Sequence, residues 1–164
     1  MGWSLRLPRP AQRMMPWLIH AGARFTRPLT LGVRAVLLRE GPAGPEVFLV
    51  RHSYVPGWHL PGGAVEAGET IGEALVREIR EEGAIAIAGT PELFGLYFNA
   101  AASRRDHVAV FRARDFRVLG HRAADLEILE AVFHPVGALP AGTTAATRAR
   151  LAEMLDGAPV SSRW

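Results

Sequence analysis

Gly63 through Ile85 reads GAVEAGETIGEALVREIREEGAI, and this stretch decides the fold. Thr70 with Glu73 three residues on is the signature of a capping box, so a helix is expected to start just after Thr70. Gly83 is expected to end it. At about 100° per residue, Ile71, Ala74, Leu75 and Ile79 fall on one face. Glu78 and Glu82 each project within about 20° of Ile71, and Glu81 lies at the edge of the same arc. The inward face is therefore apolar at first and acidic in its last turn. Three carboxylates aimed at a core repel one another and lose hydration, which is costly unless something neutralises them. A hard divalent cation does so, because carboxylate oxygens are its preferred ligands. The alternative is a solvated charged face paired with Arg77 and Arg80, and the phase of the carboxylates argues against it. Just upstream, Leu60-Pro61-Gly62-Gly63 ends an extended segment. Two adjacent glycines let backbone approach a ligand closely, and a helix N-terminus nearby favours anions.

Working outward, Val33–Leu38 and Glu46–Arg51 read as strands, joined across the Gly41–Pro45 turn into a hairpin. Strands are expected at Leu93–Phe98, His107–Arg114 and Glu130–His134, the last closed by Pro135. A second helix is expected from about Thr144 to Leu155, with Gly157 beyond it. Strands on both sides of a central helix, with another helix last, indicate a mixed sheet covered by helices. Residues 31–164 are read as one domain. Residues 1–30 are read as a basic, apolar extension.

These residues resemble the Nudix hydrolase family. Its box is Gly, five residues, Glu, seven residues, Arg-Glu, an aliphatic, any residue, Glu-Glu, any residue, Gly, an aliphatic. The match here is Gly63, Glu69, Arg77-Glu78-Ile79-Arg80-Glu81-Glu82 and Ile85, with Ala84 where the pattern has its last glycine. Gly83 stands one residue earlier and is expected to end the helix in its place. The resemblance implies an α/β Nudix fold, a mixed β-sheet sandwiched between helices (α/β/α). It also implies a hydrolase acting on phosphorus-containing anhydrides, with Glu78, Glu81 and Glu82 holding one to three Mg²⁺ or Mn²⁺ ions and the Gly62 carbonyl adding an oxygen. Glu69 and Arg77 then brace the loop against the helix. The metal offsets the charge of the diphosphate and lowers the pKa of water, so that hydroxide attacks phosphorus. A carboxylate takes the proton. Glu81 is the first candidate base and Glu127, in Asp125-Leu126-Glu127-Ile128, the second; the other reading of Glu127 is an ordinary loop acid.

On the substrate side, Arg34 and Arg51 lie on strands next to the proposed site, and their forked guanidinium groups suit a diphosphate. Either is equally open to being a plain surface arginine. Tyr54 and Trp58 are candidates to stack on a base or sugar, with core packing the stronger reading of Trp58. Tyr97 and Asn99 end a strand followed by the loop Ala100–Asp106, and Tyr97 is taken as a substrate contact. The family's substrate-specific signatures are absent: Ala101 and Ala102 stand where many ADP-ribose pyrophosphatases carry a proline.

Composition sets the outer limits. The 164 residues are enough for one domain with a core, and there is no cysteine, which excludes disulfides, thiolate metal sites and cysteine nucleophiles. All 19 basic residues are arginine and the net charge is +3, too small to argue by itself for a nucleic-acid partner. No apolar run is long enough for a transmembrane helix, and a cytoplasmic location is expected. The first 39 residues hold seven Arg and no acid, with an apolar cluster at Met14–Ile19. That segment is read as packing on the domain or on the second subunit of a homodimer, with membrane-surface contact as the weaker reading. The leading functional reading is a pyrophosphohydrolase acting on a small nucleotide derivative. The alternatives are an RNA 5′-end pyrophosphohydrolase and a nucleotide sensor without catalysis.

Overall fold

The computed structural model describes residues 29–164, so the readings placed on the N-terminal extension lie outside the described residues. Strands β1 (Thr30–Gly41), β2 (Gly44–His52), β4 (Glu92–Phe98), β5 (Asp106–Ala113) and β7 (Ile128–Pro135) form one sheet in the order β4-β5-β1-β2-β7. β1 and β2 are an antiparallel hairpin, with Leu38 opposite Val47. β1 and β5 run parallel, with Thr30 opposite Asp106 and Leu37 opposite Ala113. The other pairings in this sheet are antiparallel. Two three-residue strands, β3 (Ile85–Ile87) and β6 (Phe116–Val118), form a separate small sheet that the sequence reading did not anticipate.

Strand alternation makes the two layers. Val33, Ala35 and Leu37 of β1, Phe48 and Val50 of β2, and Ala109, Phe111 and Ala113 of β5 face one side. Helix α1 (Ile71–Gly83) covers them with Ala74, Leu75 and Ile79, all fully buried. Each large aliphatic side chain buried this way contributes about 1.5–3 kcal/mol. On the other side, Val36, Val47, Leu49, Val108 and Val110 pack with Trp58, Leu60, Tyr97 and Leu151 of helix α2 (Ala145–Leu155). The result is a mixed sheet between two helices. Among the described residues no helix is long and apolar enough to cross a membrane.

The expected capping box is present. Thr70 Oγ1 accepts from Glu73 N at 3.2 Å, and Glu73 Oε2 accepts from Thr70 N at 2.9 Å. The C-terminus departs from expectation. Gly83 is the last helical residue, and Ala84 takes the left-handed conformation that ends the helix, at φ 50°. Gly83 has another duty: a Cβ there would lie 2.9 Å from the Phe48 ring. An alanine in the left-handed region is strained, whereas glycine is not. Ala84→Gly is therefore expected to stabilise the fold by roughly 0.5–1 kcal/mol, after allowing for the freer unfolded chain. Urea unfolding checks this, and an unchanged or lower midpoint contradicts it.

Candidate active site

β1 supplies the floor of the site because its pairing changes partner midway. From Leu38 onward it pairs with β2; nearer its start, the loop before α1 runs alongside it. Ala35 N donates to Pro61 O at 2.9 Å, Val33 N to Gly63 O at 2.8 Å and Val65 N to Leu31 O at 2.9 Å. This leaves no room for side chains at the two glycines. A Cβ on Gly62, whose φ is 133°, would lie 2.2 Å from Val33 O, and one on Gly63 would lie 2.3 Å from Glu78 Oε1. The close approach lets Gly62 N donate to Glu82 Oε2 at 2.7 Å. The buried carbonyl of Gly62 accepts no hydrogen bond among the described residues.

Glu82 is buried at the end of α1. Burial pushes its carboxyl up to about 7, although the Gly62 N–H and the Arg34 charge pull the other way. Its Oε1 lies 3.5 Å from Nε2 of His52, which is also buried. Burial and the nearby Arg34 charge lower His52 to about 4, so that ring is neutral at pH 7. Glu78 accepts from Arg77 Nη1 at 2.7 Å. Arg77 also grips both oxygens of Glu69, at 2.9 and 3.0 Å, and the Ala64 carbonyl at 3.1 Å. That fork ties helix and loop together, and the Arg77 hydrogen bond holds the Glu69 carboxyl below its usual range.

Glu78, Glu82 and Glu127 line one cleft of about 440 Å³ together with Arg34, Tyr54 and the glycine pair. Glu127 reaches it because its loop is tied down. Ser53 N donates to Glu127 O at 2.9 Å, Arg122 Nε donates to Glu81 O at 2.8 Å, and Asp125 Oδ1 accepts from the backbone N–H groups of Glu127 and Ile128. The Ile128 N–H bond and the Arg122 ion pair hold Asp125 down at about 2.

Glu81 does not join that cleft. Its side chain is 62% exposed and lies 3.5 Å from Arg77 Nη1 on the outer flank of α1. The expectation of three inward carboxylates is corrected to two, because Glu81 sits about 100° around the helix from Glu82. Among the described residues, no three His, Asp or Glu side chains are gathered closely enough to hold a metal ion. Two carboxylates and a free backbone carbonyl still suit a hard cation. Mg²⁺ commonly takes one or two carboxylates and completes its shell with water and substrate phosphate.

Residues 28–155 match the family model described as NUDIX domain. The chain belongs to the NUDIX family. It is 49% identical over 49 residues to the ADP-ribose pyrophosphatase of Methanocaldococcus jannaschii, covering 30% of this chain and 28% of that protein. Alignments to curated relatives span between 14% and 41% of those proteins' own length. The MutT NUDIX hydrolase structure from Burkholderia pseudomallei superposes with a TM-score of 0.59 at 27% identity, covering 74% of this chain and 95% of that one. A NUDIX hydrolase from Nitrosomonas europaea shares the fold, with a TM-score of 0.61 at 21% identity over 82% of this chain and 98% of that one.

Two substrate-side expectations fail in this NUDIX domain. Tyr97 has no exposed surface; its hydroxyl donates to Glu153 Oε2 at 2.9 Å in the α2-side core. Arg51 pairs with Glu130 and does not line the cleft. Alternation along β2 sets Arg51 opposite to Val50 and His52. Trp58 is buried against His134, ring centroids 4.6 Å apart. Arg34 does line the cleft, with Nη1 buried and unpartnered among the described residues. Tyr54 lines it with 67% exposure. The far wall holds Asn99, named from the sequence without a role, and two groups the sequence reading did not single out. Asp106 accepts from Thr30 Oγ1 at 2.6 Å and from Asn99 Nδ2 at 2.8 Å. The β4–β5 hairpin brings Asn99 to Asp106, and the parallel register of β1 on β5, which no local signal encodes, adds Thr30.

Proposed function

We propose that this NUDIX domain hydrolyses a phosphoanhydride bond in a nucleoside diphosphate linked to another group, and that it needs Mg²⁺ or Mn²⁺ to do so. The observation that carries the reading is the cleft itself: the buried Glu82 carboxylate, Glu78 and Gly62 beside the Arg34 guanidinium, whose Nη1 has no partner among the described residues. A divalent cation bound there offsets substrate charge and makes water more acidic. Glu82, Glu78 and Gly62 O hold it. Arg34 takes diphosphate oxygens, filling the partner its Nη1 lacks. Glu127 takes the proton from the attacking water, because it shares the cleft and Glu81 does not. Tyr54 offers an exposed ring for a base or sugar. One relative carries the name ADP-ribose pyrophosphatase, but the alignment spans only 28% of it, so the proposal does not extend to the linked group.

The test is phosphate release from ADP-ribose, sugar nucleotides, nucleoside triphosphates and dinucleoside polyphosphates, with a phosphatase to reveal masked products. Turnover of nucleoside diphosphate derivatives with Mg²⁺ or Mn²⁺, abolished by EDTA, is expected. A folded protein that instead releases pyrophosphate only from 5′-triphosphorylated RNA, with strong salt dependence, contradicts it and supports the RNA reading.

A further inference from the structure

We propose that His52 is a positioning residue that fixes the Glu82 carboxylate for metal binding. Strand alternation sends His52 to the α1 side of the sheet, in line with Phe48 and Val50. The β2–β7 register breaks between Arg51 and His52: Arg51 pairs with Glu130, and His52 with Ile128. The extra residue is Leu129 on β7, so β2 stays regular through His52 and its alternation holds. Here the ring ends at the last turn of α1, with Nε2 3.5 Å from Glu82 Oε1. That separation is long for a hydrogen bond, and a small rotation of either side chain closes it.

The surroundings hold the ring in place. Tyr54 and His59 flank it at ring-centroid distances of 5.0 and 5.9 Å. His59 is itself anchored by Nε2 to Pro56 O at 3.1 Å. The other nitrogen, Nδ1, is buried with no partner among the described residues. A buried N–H without an acceptor is costlier than a buried lone pair without a donor, so the ring proton belongs on Nε2, facing Glu82. Glu82 is thereby flanked on two sides: Gly62 N donates to Oε2, and His52 Nε2 stands 3.5 Å from Oε1. Partners of this kind set the direction of a ligand's lone pairs.

This inference rests on the reading of Glu82 as a metal ligand. The experiment measures Mn²⁺ affinity of the full chain without substrate, by electron paramagnetic resonance, for wild type, Glu82→Gln, His52→Leu and His52→Gln. Glutamine places an amide N–H near the Nε2 position and leucine does not. Circular dichroism and thermal melts select folded variants. His52→Leu is expected to weaken Mn²⁺ binding at least about tenfold. In the assay its kcat falls while KM for the nucleotide stays within about twofold, and His52→Gln restores most of both losses. Wild-type Mn²⁺ affinity in His52→Leu, with Glu82→Gln impaired, overturns the role of His52 alone. Equal loss in His52→Leu and His52→Gln overturns it as well, since packing then accounts for the effect. Wild-type affinity in Glu82→Gln overturns both this inference and the metal site beneath it.

Discussion

Glu82→Gln is expected to lower the hydrolytic rate at least about a thousandfold, roughly 4 kcal/mol of barrier, while the protein stays folded. The side chain keeps its shape, and the Gln carbonyl oxygen still accepts from Gly62 N, now found at 2.7 Å from the carboxylate. What disappears is the negative charge. The same variant has a second, opposite effect. Burial raises Glu82 from its ordinary 4.5 to about 7 in the metal-free protein. Between those values the folded state holds a proton that the unfolded state has released, so stability falls as pH rises from about 4.5 to about 7 and is level above. The lost stability is on the order of 3 kcal/mol. Glutamine does not ionise. Metal-free Glu82→Gln should therefore be more stable than wild type at pH 8, with the difference vanishing near pH 4. Activity assays and urea melts at the two pH values check both effects. Wild-type activity, or a variant less stable at pH 8, contradicts them. A residue that costs the fold stability and enables the chemistry is what an electrostatic site built for a cation requires.

Glu153→Ala should cost the fold about 3–5 kcal/mol. Arg150 and Glu153 lie one turn apart on α2 and are almost wholly buried, joined through two N–H···O bonds of 2.8 and 2.6 Å. Glu153 also accepts from the Tyr97 hydroxyl and from Ser161 N at 2.9 Å each. Arg150 lies over the Tyr97 ring at 4.0 Å and donates to Arg163 O at 3.1 Å. Removing the carboxylate strands a buried guanidinium and two further donors. The same group pins the C-terminal tail, whose Ser162 and Trp164 bond the backbone of Phe98 on β4 and cover that sheet edge. Urea unfolding measures the loss, and a change under about 1 kcal/mol refutes the account. The paired replacement Arg150→Met with Glu153→Leu should recover much of it, because neither charge is then left alone.

The parts of this fold written in local periodicity were legible in the sequence. The capping box, the apolar face of α1, the hairpin and the glycine pair each depend on residues a few positions apart. Glu78 and Glu82 were legible for the same reason, because helix phase alone puts them with Leu75 and Ile79. Glu81 was misjudged because an arc drawn on a wheel is wider than the cleft it opens into. Ala84 shows a similar limit: Gly83 looked like the helix stop, but its missing side chain makes room for Phe48, which comes from a different strand. Arg51 and Tyr97 required knowing which face of the sheet met which helix, and alternation fixes faces only relative to one another. The Thr30–Asp106 contact required the parallel register of β1 on β5, which spans more than seventy residues. The Arg150–Glu153 pair carries no local signal of burial, because the returning tail and Tyr97 that surround it come from distant parts of the chain.

The most direct test of the central claim is hydrolysis of a nucleoside diphosphate derivative in ¹⁸O-labelled water, with Mg²⁺ and with EDTA, followed by mass spectrometry of the products. The account predicts one ¹⁸O atom in a phosphate group of one product, and no products in EDTA. Label in the sugar, equal cleavage in EDTA, or no cleavage by folded, metal-loaded protein would contradict it.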